Sequence, residues 1–275
     1  ECLESLTKLE YPRDSYEVIV VDDGSKMSLE SVVENFNNQI EITLLKQPNA
    51  GPATARNTGA KQAKGEFLAF TDDDCKPAPD WLNKIAACFA KKPDCLIGGK
   101  TINILSENPF STASQELINY LYSYYNRDPE QATFFASNNI AISKQRFHEI
   151  GGFDTTYPRA AAEDREFCDR WLQYGNQMIY VPEVNVYHAH KLTLSSYWKQ
   201  HFFYGRGAFC FHQVRAKRAH REIKVEPISF YLNLLKYPLS QNISQPKLLL
   251  SALLFISQVA GVVGFLWERN YQTSN

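Results

Sequence analysis

Short β-branched runs alternate with amphipathic stretches through the first third of the chain. EVIVVDD (17–23) is followed by Leu29, Val32, Val33 and Phe36 at i, i+3, i+4, i+7 spacing, which predicts a strand, a turn and a helix. ITLLKQ (42–47) precedes the Ala-rich PATARNTGAKQAK (52–64), and EFLAFTD (66–72) precedes a helix bearing Leu82, Ile85, Ala86 and Phe89. Such βα alternation predicts an α/β fold with a mostly parallel central sheet and helices on its faces. Open α/β sheets bind ligands beyond the carboxyl ends of their strands, and two of these three strand ends are acidic.

The pattern loosens afterwards. CLIGGKTINI (95–104) predicts a strand, followed by an aromatic helical stretch around 117–125, SNNIAI (137–142), the turn GGFD (151–154) and a helix from about Arg165 to Tyr174. No change of composition separates the halves, so residues 1–190 are expected to form one domain. Next come a basic, aromatic, helix-like segment (about 194–221) and a short amphipathic piece (228–237), together a basic helical extension over 191–247. LLLSALLFISQVAGVVGFLW (248–267) then runs for 20 residues without a charge. As a helix it reaches about 30 Å, enough to span a bilayer core; lying in the membrane interface or packing on the preceding domain are the other two readings.

Composition narrows the class. With 44% hydrophobic and 21% charged residues the chain has the apolar content for a packed core. A net charge of −1 excludes a globally basic nucleic-acid binder. One stretch is different: residues 199–224 carry Lys199, Arg206, Arg215, Lys217, Arg218, Arg221 and Lys224 against Glu222 alone. Such a segment beside an apolar helix faces anionic lipid on the cytoplasmic side of a membrane. The six cysteines form no CxxC pair, so reduced thiols in a cytosolic compartment are expected, and Glu1-Cys2-Leu3-Glu4 carries no secretory pattern.

Three acidic groups carry candidate chemistry. Asp72-Asp73-Asp74 leave the strand EFLAFT together, and three adjacent carboxylates there either hold a hard divalent cation, Mg or Mn, or form a solvated turn capping the helix that starts near Pro79. In VVDDGS (20–25), Asp22 and Asp23 either accept hydrogen bonds from a ribose or base, or make an Asx turn with Ser25 or Ser28 capping the next helix. Glu163-Asp164 stand at the start of a helix with Phe167, Trp171 and Leu172 on one side. There a carboxylate is either a partner of the helix dipole or a general base beside a substrate hydroxyl.

Taken in order, VVDDGS (20–25), QPNAGPATARNTGAKQAKGEFLAFTDDD (47–74), SNNIAISKQRFHEIGGFD (137–154) and AAAEDREFCDRW (160–171) resemble glycosyltransferase family 2, the inverting nucleotide-sugar enzymes of GT-A fold. The resemblance covers roughly residues 1–190. It implies that Asp23, with Asp22 beside it, contacts the nucleoside. Asp72 and Asp73 would touch the ribose and diphosphate, and Asp72 and Asp74 would hold a divalent cation, Mn or Mg, with His188 of VYHAH completing the site. Asp164 would be the general base, with Glu163, Asn138 and Asn139 on the acceptor side. Arg56 either reaches the diphosphate or covers a helix face, and the Asn pair, like His188, also admits a plain structural reading. The implied partners are a UDP-, GDP- or dTDP-sugar, a glycan or lipid-linked acceptor, and the membrane, without nucleic acid. Family members start with a strand and tight loop, whereas CLESLTKLEYP (2–12) reads as the helix that follows them, so further residues are expected ahead of Glu1. A sugar-phosphate nucleotidyltransferase and a non-catalytic membrane-bound binder of nucleotides or glycans are the competing readings.

Overall fold

The computed structural model describes residues 1–157, 161–219 and 225–273. Arg221, Glu222 and Lys224 of the basic stretch, and Ala160 of the fourth motif, lie outside them. In chain order the elements are α1 (Cys2–Leu6), β1 (Val18–Asp22), α2 (Glu30–Glu34), β2 (Ile42–Lys46), α3 (Pro52–Gln62), β3 (Phe67–Phe70), β4 (Cys75–Pro77), α4 (Trp81–Phe89), β5 (Leu96–Asn103) and α5 (Pro109–Tyr125). They continue with β6 (Ile140–Ser143), α6 (Lys144–Glu149), α7 (Glu163–Gln173), β7 (Met178–His188), α8 (Leu194–Ala219), α9 (Ile228–Ser240) and α10 (Lys247–Thr273). Local signals set the helix starts. Pro109 stands at the first turn of α5 while the Asn108 side chain accepts from the Phe110 and Ser111 amides, and Ser143 accepts from Arg146 N at the start of α6.

The α/β layering is present, but the sheet is mixed where a mostly parallel one was expected. β1 and β2 pair in parallel, Val18 opposite Ile42. The other five strands lie in the order β3-β6-β5-β7-β4, and only β5 and β7 run parallel. The antiparallel partners are distant in sequence, Phe67 with Ser143 and Cys75 with His188, and local hydrophobic patterning sets no direction for such pairs.

One apolar cluster gathers Phe135, Phe147, Phe153, Phe167 and Trp171, and another joins Trp81, Ile85, Phe89, Ile97 and Val186. All six cysteines are unpaired, with Cys75, Cys95 and Cys168 buried. α10 lies along α8 so closely that a Cβ at Gly205 would overlap the Gly261 carbonyl, and one at Gly264 the Phe202 carbonyl. Its opposite face exposes Leu248, Phe255, Val259, Val262 and Leu266. Among the described residues, α10 is the one helix long and apolar enough to cross a membrane.

Two features of the sheet position the site. The β5–β7 register breaks between Gly99 and Lys100, where Val181 gives way to Asn185 as partner. The break leaves Lys100 O and Val184 O off the ladder, and the Asn139 amide donates to both, at 3.0 and 2.9 Å. Gly99 is needed there because a Cβ would overlap the Asn139 side chain. Secondly, among the described residues β1 and β3 form no ladder with one another. A cleft of about 1780 Å³ opens between them and continues past their carboxyl ends to α5 and α8.

Candidate active site

Asp22 closes β1, and its Oδ1 accepts from Ser25 N at 2.8 Å, so the Asx turn forms and these bonds from Ser25 lower its pKa. Asp23, one residue on, is bound more heavily. Its carboxylate accepts from the Ala50 and Gly51 amides at 2.9 and 2.8 Å, from Gln47 Nε2 at 2.6 Å and from Asn49 Nδ2 at 3.3 Å. Asp23 thus fixes the 47–51 loop ahead of α3, and both aspartates line the cleft.

Arg56 neither extends into the solvent nor covers a helix face. From α3 its guanidinium bridges two motifs 91 residues apart, with Nη2 on Asp72 Oδ1 at 2.7 Å and Nη1 on Glu163 Oε1 at 3.2 Å. Burial opposes its charge, but the carboxylates of Asp72 and Glu163 outweigh it and raise its pKa. Asp72 is therefore tied to a cation the protein itself supplies, while Asp73 is exposed.

Asp74 has other company. The β4–β7 pairing sets Cys75 opposite His188, and Ala189 N donates to Asp74 O at 2.8 Å. His188 Nε2 and His190 Nδ1 consequently both lie 3.1 Å from Asp74 Oδ2. Partial burial raises the Asp74 pKa, and the bonds and charge of the two imidazoles outweigh that, holding it well below the usual carboxylate range. A carboxylate and two imidazoles converging on one point fit a divalent transition ion such as Mn. The possible ligand atoms that lie together are those of Asp74, His188 and Cys75, but the Cys75 thiol is fully buried and burial pushes its pKa up, which favours the protonated, non-ligating form. Of the expected set of Asp72, Asp74 and His188, the fold brings Asp74 and His188 together with His190 beside them, while Asp72 pairs with Arg56. The His-x-His alternation at the end of a strand, which places both rings on one side, is the signal that would have found His190.

Glu163 and Asp164 open α7 after Ala162, the one non-glycine residue among those described with a left-handed backbone, φ 69°. Glu163 is 5% exposed, and burial together with the charge of Asp164 pushes its pKa up to about 7 against the pull of Arg56. Burial raises Asp164 as well; its Oδ1 accepts from Arg165 N at 2.7 Å. The residue thus interacts with the helix terminus and lines the cleft at once.

Asn138 lines the cleft and accepts from Thr101 Oγ1 at 3.2 Å. Asn139, expected on the acceptor side, is 1% exposed. Besides its two donations across the register break it accepts from Trp81 Nε1 at 2.9 Å, so its polar atoms serve the sheet. Gln200 and Tyr204 of α8 also line the cleft and were missed; a 2.9 Å hydrogen bond from Gln200 Nε2 to the Tyr204 hydroxyl joins them. Nothing in the helical pattern of 194–221 singles them out.

The sequence profile of glycosyl transferase family 2 matches residues 1–151. The chain is 30% identical over 199 residues to a pre-mycofactocin glycosyltransferase of Mycobacterium tuberculosis, an alignment covering 70% of this chain and 41% of that protein. It is 36% identical over 102 residues to the glycosyltransferase AglE of Haloferax volcanii, covering 36% and 33%. The chain therefore spans about two-fifths or less of these relatives. Among solved structures, the mannosyltransferase PcManGT from Pyrobaculum calidifontis, in complex with GDP-Man and Mn2+, superposes with a TM-score of 0.67 at 19% identity, covering 97% of this chain and 82% of that one. S. aureus TarS 1-349 in complex with UDP-GlcNAc gives 0.53 at 17%, covering 99% and 87%. These likenesses establish the GT-A type of fold.

Proposed function

The chain belongs to glycosyl transferase family 2, and on that premise we propose that it moves a sugar from a nucleotide-diphosphate donor to an acceptor hydroxyl in one inverting displacement. The observation that carries this reading is the Arg56 bridge: it joins the carboxylate beside the candidate base to Asp72, the first of the strand-end aspartates, within one cleft. Asp164 takes the proton of the acceptor hydroxyl as that oxygen attacks the anomeric carbon, and the nucleoside diphosphate leaves from the opposite side. Asp22 and the loop held by Asp23 receive the nucleoside, Asp72 and Asp73 face the ribose and diphosphate, and Asn138 faces the acceptor. Asp74, His188 and His190 would hold a divalent cation, Mn or Mg, whose charge would offset that of the leaving diphosphate.

The donor class of UDP-, GDP- or dTDP-sugars is supported by the GDP-Man and UDP-GlcNAc complexes of the two similar folds. Residues 1–190 then form the catalytic domain, 191–247 the basic extension and 248–267 the apolar helix. The exposed apolar face of α10 supports attachment to the cytoplasmic face of a membrane, and with it a glycan or lipid-linked acceptor. The test is a screen of the full-length protein with UDP-glucose, UDP-GlcNAc, GDP-mannose and dTDP-glucose in Mn, reading nucleoside diphosphate release. Donor-dependent release lost in Asp164→Asn supports the reading, and no release from any of these donors counts against it.

A further inference from the structure

Resting on the glycosyl-transfer reading, we propose that α8 is the positioning element of the base, and that the bare backbone at Gly207 is the surface against which the loop leading into Asp164 is set. A Cβ at Gly207 would overlap the Ala161 carbonyl, so helix backbone and loop peptide touch directly. The next residue, Ala162, has the left-handed φ of 69°. An alanine in that region is strained and persists where its surroundings over-determine it. Glu163 and Asp164 follow immediately, so the direction in which they leave the loop is set at this contact.

The same helix grips α7 further along. Arg218 pairs with Glu166, whose side chain is wholly buried and also bound by Arg170, and Arg215 Nε lies 3.2 Å from Asp169 Oδ1. α8 therefore holds the catalytic segment at its entry by backbone contact and one to two turns later by charge. It cannot easily retreat, because α10 backs it through the glycine contacts and through Arg206 Nε on buried Glu268 at 2.6 Å. A methyl added at 207 is thus met by movement of the loop, and with it the base.

The experiment uses the full-length protein and the donor that the wild type turns over, with kcat, donor KM, melting temperature and affinity for the matching nucleoside diphosphate. Gly207→Ala is expected to lower kcat about 10²-fold, the cost of a displacement near 1 Å, with donor KM and nucleotide affinity changed by less than about twofold. Ile40→Ala, at a buried position ahead of β2 and outside the cleft lining, lowers the melting temperature but leaves kcat per folded molecule unchanged. Ala162→Gly adds no atoms and frees the loop from its left-handed constraint, so kcat falls while the melting temperature holds or rises. This variant decides the matter if Gly207→Ala does not fold. Wild-type kcat in folded Gly207→Ala or Ala162→Gly overturns the proposal, as does an equal loss of kcat in Ile40→Ala. A wild type that binds donor yet never releases diphosphate overturns the functional reading first, and this inference with it.

Discussion

Two pairs of adjacent carboxylates line the same cleft and are built in contrary ways. Asp22 and Asp23 sit among donors: Ser25 N serves the first, and two backbone amides and two side-chain amides serve the second. Glu163 is buried and Asp164 partly buried, with Arg56 and the Arg165 amide as their main partners, and their pKa values rise. Donors fix a carboxylate as an anion of set geometry, whereas burial keeps its proton affinity near neutrality. The first pair suits holding a loop and a ligand, and the second suits taking a proton.

The contrast is broken most severely at Asp164. Asp164→Asn keeps shape and the Arg165 contact but removes proton acceptance, so transfer should fall by roughly 10²–10⁴ with donor affinity unchanged. Steady-state rates and calorimetric donor titration check it, and a variant retaining wild-type turnover would return the residue to a helix-terminus role. Next comes Asp74, whose partners are imidazoles. Asp74→Ala should reduce kcat/KM by about 10²-fold or more, with excess Mn failing to restore it. Full activity of the wild type in excess chelator would remove the cation from the account.

Asp23→Asn is the counterpart on the donor-rich side. An amide cannot accept at both positions, so the 47–51 loop should loosen and stability fall by about 1.5–3 kcal/mol, with weaker donor binding and little change in kcat. An unchanged denaturation midpoint would show that the loop holds itself. The smallest effect is a shift in pH. Since Glu163 is pushed up to about 7, the pair carries a proton below neutrality, and transfer should climb with pH through about 7. Glu163→Gln removes the neighbouring charge and should move that limb to lower pH. Stability runs the other way. A raised carboxyl pKa favours the folded state below the ordinary value of 4.5, and that benefit is lost as pH rises through about 7. The wild type should therefore lose stability relative to Glu163→Gln across that interval, measurable in paired melting curves.

What the sequence displayed and what it hid differ for physical reasons. β1, β2 and β3 are runs of mostly apolar residues, and β1 and β3 lead into acids, so position along the chain reveals both strand and candidate site. The direction of β6 and β4 depends on partners 76 and 113 residues away, Ser143 against Phe67 and His188 against Cys75, and no local period records that. Arg56 was visible as a candidate, but its role lies in its reach to Asp72 and Glu163, which only folding brings together. Asn139 misled because a polar pair ahead of a strand looks like a turn or a ligand, when it serves a register break that a three-residue excess in β7 creates. Tyr204 and Gln200 were silent because a cleft-facing residue on a mostly packed helix is spelled like its neighbours.

The apolar face that α10 turns away from α8 has a consequence for behaviour in bulk solution. Leu248, Phe255, Val259, Val262 and Leu266 stand exposed along it, the condition under which chains recruit one another. A net charge of −1 gives copies almost no long-range repulsion with which to stay apart. The colloidal behaviour of these 275 residues thus follows that face, and light scattering should grow with concentration. It should also respond weakly to added salt, because screening removes a repulsion that is hardly there.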